Sequence, residues 1–77
     1  MKLPELKAIE VSKVLKKLGF VMKRQHCSHM IFEHEDGRTT VVPNHPSEFV
    51  DRHLLNKIIK HDLKIERKEF LNFLRTS

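Results

Sequence analysis

Hydrophobic residues near the start of the chain recur at helical intervals. Ile9, Val11, Val14, Leu15 and Leu18 fall mainly on one stripe, with Lys7, Lys13, Lys16 and Lys17 largely on the other side, which predicts an amphipathic helix over residues 6–18. Pro4 and Glu5 suit its first turn, and Gly19 suits a left-handed cap at its end. The period then changes from helical to alternating. Residues 20–25 predict a strand with Phe20, Met22 and Arg24 on one side and Val21, Lys23 and Gln25 on the other. After a loop at 26–28, residues 29–34 predict a second strand. Glu35-Asp36-Gly37-Arg38 predicts a hairpin connection, and the β-branched run 39–43, closed by Pro43, a third strand.

The second half returns to a helical period. A loop over 44–50 leads to Asp51, a capping residue for a helix over 52–61 whose stripe is Leu54, Leu55, Ile58 and Ile59. Asp62 to Lys64 breaks the pattern, and a last helix over about 66–75 carries Phe70, Phe73 and Leu74, with Leu71 beside them. The order α-β-β-β-α-α predicts an α+β fold. A three-stranded antiparallel sheet shares one core with helices on one face and leaves its other face open. One domain over 1–77 is expected.

Composition narrows the chemistry. The chain has 77 residues, 15 Lys and Arg against 10 Asp and Glu, and a formal charge of +5, with a sequence pI near 9.7. A domain this small buries only about 60% of its unfolded surface, so a site is expected as a shallow groove for a large substrate. The basic balance favours a polyanion such as nucleic acid. The single cysteine, Cys27, allows no internal disulfide and fits a reducing cytoplasm. No apolar run reaches the length of a membrane span, and Met1 to Glu5 leads into a charged segment unlike a signal-peptide core. No membrane partner is expected.

The densest chemistry lies at Arg24-Gln25-His26-Cys27-Ser28-His29. An imidazole exchanges protons near neutral pH, and Lys23 and Arg24 offer charge to a phosphate. His29 is the candidate proton-transfer residue and Ser28 its neighbour. Lys23, Arg24, Gln25 and His45 are candidates for phosphate or RNA contact, because antiparallel pairing through 35–38 brings residues 43–45 near 29–30. The plainer reading of His29 is a strand-end histidine bonded to a backbone carbonyl, and that of His45 a surface residue before Pro46. His26 and His34 are expected at the surface, as are His53 and His61, eight apart on one helix. Cys27 as a nucleophile lacks any sign of acyl chemistry. His26-Cys27-x-His29 lacks the second ligand pair of a zinc site, so no metal or cofactor is expected. Lys7, Lys13, Lys16, Lys17 and Lys23 form either a basic patch or an ordinary solvated face. The phenylalanines look internal and the chain has no Tyr or Trp, which argues against base stacking on the sheet. Phe49-Val50 either staples the second helix or contributes to a partner contact.

Taken in order, the helix ending Leu18-Gly19-Phe20, Arg24-Gln25-x-x-Ser28-His29, Val42-Pro43-x-His45, the helix carrying Ile58 and the segment Glu69-Phe70-Leu71 resemble the HicA toxins of toxin–antitoxin pairs. The resemblance spans nearly the whole chain. It implies a fold like double-stranded-RNA-binding domains, a ribonuclease that cleaves messenger RNA, and a HicB antitoxin that binds the toxin and covers its site. His29 takes the place of the family's catalytic histidine and Ser28 that of its serine. Two departures stand out: the family's glycine before Ser-His is Cys27 here, preceded by His26 in place of lysine, and a frequent Gly-Thr pair is His53-Leu54. A non-catalytic RNA-binding module on the same scaffold, or a domain that mainly docks an acidic partner, would carry the same basic charge. The oligomeric state is not readable from the chain.

Overall fold

A computed structural model of the chain describes residues 3–75. Met1 and Lys2, which the sequence places ahead of the first helix, lie outside the described residues. In chain order the elements are β1 (Leu6–Lys7), α1 (Ala8–Lys17), β2 (Val21–His26), β3 (His29–Glu33), β4 (Thr39–Pro43), β5 (Phe49–Val50), α2 (Arg52–Lys57), a π-helical segment (Ile58–Leu63) and α3 (Arg67–Arg75). The fold is α+β. β2, β3 and β4 form an antiparallel three-stranded sheet in that order, with the helices on one face, as the hydrophobic pattern predicts.

The first helix starts later than its periodicity implies. Leu6 and Lys7 are extended and pair antiparallel with Val50 and Phe49. Glu10 Oε1 accepts the Lys7 backbone N–H at 3.0 Å, so the first-turn carboxylate is Glu10, and Pro4 and Glu5 precede the helix. The small β1–β5 sheet therefore replaces part of the expected loop 44–50. It buries Leu6 and Val50 and leaves Phe49 exposed, with the Lys7 ammonium 5.6 Å from its ring. Phe49 is thus the exception among phenylalanines expected to be internal. The stripe of α1 that enters the core is Ala8, Val11, Val14 and Leu15, while Ile9, expected among them, stands 64% exposed. At the other end Gly19 takes φ +99°, and the Phe20 N–H reaches back to the Leu15 carbonyl at 2.9 Å. This is a Schellman-type end that drops Phe20 into the core.

The core is continuous from Val11 and Leu15 through Phe20, Phe32 and Val42 to Leu55, Ile58, Ile59, Leu63 and Phe70. The second helix does not run as one α-helix over 52–61. Asp51 caps it as expected, its carboxylate accepting the His53 N–H at 2.8 Å, but from Ile58 the turns widen to π. An α-helix would bring residue 62 to the core after Ile58 and Ile59. The extra residue of the π segment instead buries Leu63 and leaves Asp62 to accept the Thr40 hydroxyl at 2.9 Å. The segment ends at Lys64 in the left-handed region, φ +58°. This widening also removes the simple one-face relation expected of His53 and His61, although both are exposed as anticipated.

Arg38 ties the β3–β4 hairpin to that π segment. Its Nη1 donates to the Leu63 carbonyl at 2.6 Å, its Nε to Asp36 at 2.7 Å, and its guanidinium lies 5.2 Å from the Phe20 ring centre. His34, expected at the surface, is half-buried instead. Its ring meets Phe20 edge-on at 5.1 Å, and its Nδ1 accepts the Asp36 N–H at 3.1 Å. The Arg38 backbone N–H, and then its guanidinium, hold the Asp36 carboxyl below the usual carboxylate range against the opposing cost of desolvation. A carboxyl lowered by folding adds stability above its unfolded pKa and loses it as pH falls through its folded pKa. Arg38→Ala should cost about 1–3 kcal/mol in denaturant unfolding, with Arg38→Lys intermediate. Asp36→Asn should flatten the acid limb of the stability curve.

Candidate functional site

The open sheet face is defined by register. Along β3, Met30 and Phe32 enter the core; along β4, Thr40 and Val42 do. His29, Ile31 and Glu33 therefore share the outer face with Pro43, Val41 and Thr39, their respective partners. β2 alternates simply only as far as Met22. A bulge between Met22 and Arg24 adds Lys23 as an extra residue, so that Arg24 sits opposite Ile31, Gln25 opposite Met30 and His26 opposite His29. Directly opposed residues point to the same side. The bulge therefore moves Arg24 onto the open face, where strict alternation had placed it with Phe20 and Met22. It also turns Gln25 to the helix side.

One end of the open face thus holds His26 and His29 side by side. Directly opposed residues have Cβ atoms about 5 Å apart, and Arg24 is the diagonal neighbour of His29, roughly 7–8 Å away and within reach of a long side chain. Both histidines and Arg24 are exposed. The pair is joined by the two-residue turn Cys27-Ser28. The Ser28 carbonyl accepts the Asn44 N–H, fixing the turn against the chain that leaves β4, while the Ser28 hydroxyl has no hydrogen-bond partner among the described residues.

A groove of about 410 Å³ runs from His29 and Pro43 along Val41 and Thr39 to Lys57 and Asp62, with Leu54 in its wall. Pro43 and Leu54 also wall a neighbouring cleft, and His45 lines that one together with Glu48 and Asp51. His45 is therefore near the candidate site but opens into a more acidic recess. Of the residues singled out from sequence, the structure brings Arg24, Ser28 and His29 together on or beside the open face, with Lys23 at the bulge. It leaves Gln25 on the far side of the sheet and His45 next door. The register adds His26, and the groove adds Lys57, to the surroundings of His29. A two-residue hairpin loop between 26 and 29 would have signalled the first. The second depends on where α2 crosses the edge of β4, which no local pattern encodes. Among the described residues no three His, Cys, Asp or Glu side chains group as metal ligands, and no helix is long and apolar enough to cross a membrane.

The structure is thus a small α+β domain whose open sheet face carries paired histidines at one hairpin. The family model of the HicA toxin of bacterial toxin–antitoxin systems matches residues 9–62, well over half of the chain, and the chain belongs to that family. No curated protein matches it. HicA toxins pair with HicB antitoxins, so the toxin role follows from membership.

Cys27, at the family's glycine position, takes φ +55°. It is the first of two turn residues, where glycine is the usual occupant because a Cβ strains a positive φ. The chain keeps the turn and carries the strain. Cys27→Gly should therefore raise the unfolding midpoint, by about 1 kcal/mol of stability, with an unchanged denaturant slope.

Proposed function

We propose that this chain is a ribonuclease that cleaves messenger RNA by attack of the RNA's own 2′-hydroxyl, and that a HicB antitoxin restrains it. The observation that carries this reading is the pair of exposed imidazoles, His26 and His29, opposed at one end of the open face with Arg24 diagonal to His29. Cleavage of this kind needs one group to accept a proton and another to give one. One imidazole takes the 2′-hydroxyl proton, the 2′ oxygen bonds to phosphorus, and the bond from phosphorus to the 5′ oxygen breaks. The other imidazole protonates that 5′ oxygen, leaving a 2′,3′-cyclic phosphate and a 5′-hydroxyl. His29, at the position of the family's catalytic histidine, is the principal proton-transfer residue.

Charge on the phosphate is met by Arg24, diagonal to His29, and by Lys23 at the bulge. The free Ser28 hydroxyl is placed to orient a phosphate oxygen. Lys57, at the far end of the groove that begins at His29, continues the positive track for the RNA backbone around the sheet edge. Val41 and Ile31 offer apolar contact without aromatic stacking. Recognition then rests on backbone and 2′-hydroxyl contacts. Such a site matches a domain too small for a deep cavity.

His29→Ala should lower the cleavage rate of a purified messenger RNA by about 10²–10⁴-fold with an unaltered circular dichroism spectrum, and should abolish growth arrest on induction. His26→Ala should slow cleavage and leave His29-dependent cleavage measurable. Unchanged cleavage by the His29 variant would refute the assignment. Tight RNA binding with no cleavage by the wild-type chain would instead identify a non-catalytic RNA-binding module.

A further inference from the structure

β2 is an edge strand, and all six of its residues are exposed. α1 packs against β1, β4 and α3, and so leaves the β2 margin of the sheet uncovered on the helix side. A groove of about 240 Å³ lies there. Ile9 and Lys16 of α1 form one rim, Met22 and Gln25 of β2 the other, and the buried Met30 and Phe32 form the floor. Ile9 is 64% and Met22 42% exposed. The solvent face of α1 is otherwise lysine-rich, so an isoleucine beside this groove serves no internal packing.

We infer that this groove is a docking site for an extended, acidic segment of the HicB antitoxin, laid along β2 with an apolar side chain between Ile9 and Met22. Three observations select that occupant. The floor is apolar and each rim carries one apolar side chain, Ile9 and Met22, a surface that adapts to an inserted side chain, with Ser12, Lys16, Gln25 and Asn44 completing the lining. No carboxylate lines the groove, while Lys16 lines it, Lys13 lies one turn back on α1 and Lys23 stands at the bulge of β2, so flanking acidic residues are complemented. The unpaired margin of β2 offers backbone groups to an added strand. A second copy of this chain is disfavoured, because each copy carries +5 and pairing β2 with β2 sets lysine and arginine against themselves. RNA fits the groove poorly, since the aromatic side chain that lines it, Phe32, is fully buried and offers no stacking face. The inference rests on family membership and not on the ribonuclease reading, for the groove lies on the opposite side of the sheet from His29.

The test is binding of the separately purified HicB antitoxin to the full chain, followed by calorimetry. Ile9→Glu and Met22→Glu put a carboxylate into an apolar groove and should each raise Kd roughly tenfold or more. Ile9→Leu should bind like wild type, and Lys16→Glu, at an exposed position on the rim, should weaken binding through charge. Cleavage of free RNA should stay at the wild-type level in Ile9→Glu and Met22→Glu. Hydrogen exchange of β2 amides should slow in the complex. Wild-type antitoxin affinity in all the glutamate variants would overturn the proposal. So would loss of RNA binding or of self-association in their place, which would assign the groove to RNA or to a second copy. Because binding is measured without RNA, an inactive His29 pair would leave this result intact.

Discussion

A strand presents its side chains alternately, so a single extra residue sends everything beyond it to the opposite face. Lys23 is that residue in β2. Without the bulge, strict alternation from Met22 onward would put Arg24 on the helix side of the sheet and turn Gln25 outward. With it, Arg24 and His26 align with Ile31 and His29 on the open face. The bulge also keeps Met22 at the helix-side margin, beside Ile9. Both faces of the β2 edge therefore depend on one backbone irregularity: an imidazole-bearing face with Arg24 on one side and a groove floored by Met30 and Phe32 on the other. Charged residues and bulges are also how natural sheets blunt their edges against indiscriminate pairing. A partner for this edge must bring complementary acid as well as a strand.

The elements themselves were largely legible, because their signals are local. Helical spacing, the Gly19 stop, the Asp36-Gly37 turn, the β-branched run before Pro43 and the Asp51 cap each rest on a few adjacent residues. What failed to show depends on distant parts of the chain. Leu6 and Lys7 continue the amphipathic pattern of α1 yet are extended, because Phe49 and Val50 offer them a strand partner. Ile9 fits the apolar stripe by period but lies outside the strip that the sheet covers. The π segment arises because Leu63 fills the core better than Asp62 while Asp62 finds Thr40. His34 is drawn inward by Phe20 and by the hairpin's own Asp36.

The candidate site was legible in composition and less so in geometry. His29, Ser28 and Arg24 could be named from the sequence alone, and the antiparallel return through the 35–38 hairpin correctly put residues 43–45 beside the turn. The sequence could not reveal which face each residue occupies, because the bulge leaves no clear mark on the pattern Val-Met-Lys-Arg-Gln-His. The pattern therefore groups Gln25 with residues from which the sheet separates it, and reads His26 as a surface residue that the register makes the direct neighbour of His29. The turn between them requires a positive φ that glycine adopts freely and Cys27 adopts under strain. That the chain holds the conformation without glycine implies that the surrounding contacts, including the Asn44 bond to the Ser28 carbonyl, over-determine it.

A domain of this size has little surface to divide between tasks, and the sheet edge shows how the division is made. Lysines along α1 and β2 attract any polyanion, whether RNA or an acidic protein, so net charge alone would let the two compete everywhere. Apolar relief separates them. The open face offers imidazoles and a guanidinium but only scattered aliphatic contact, which suits a phosphate backbone. The helix-side groove offers a floor of Met30 and Phe32 with Lys16 on its rim, which suits a peptide bearing both apolar and acidic side chains. A segment seated there would extend the sheet by one strand and carry its own side chains past the margin of β2, next to Arg24 and His26. Occupying the edge alone would place acidic charge where the RNA backbone has to approach, and electrostatic exclusion at a few ångströms is strong in a partly desolvated interface.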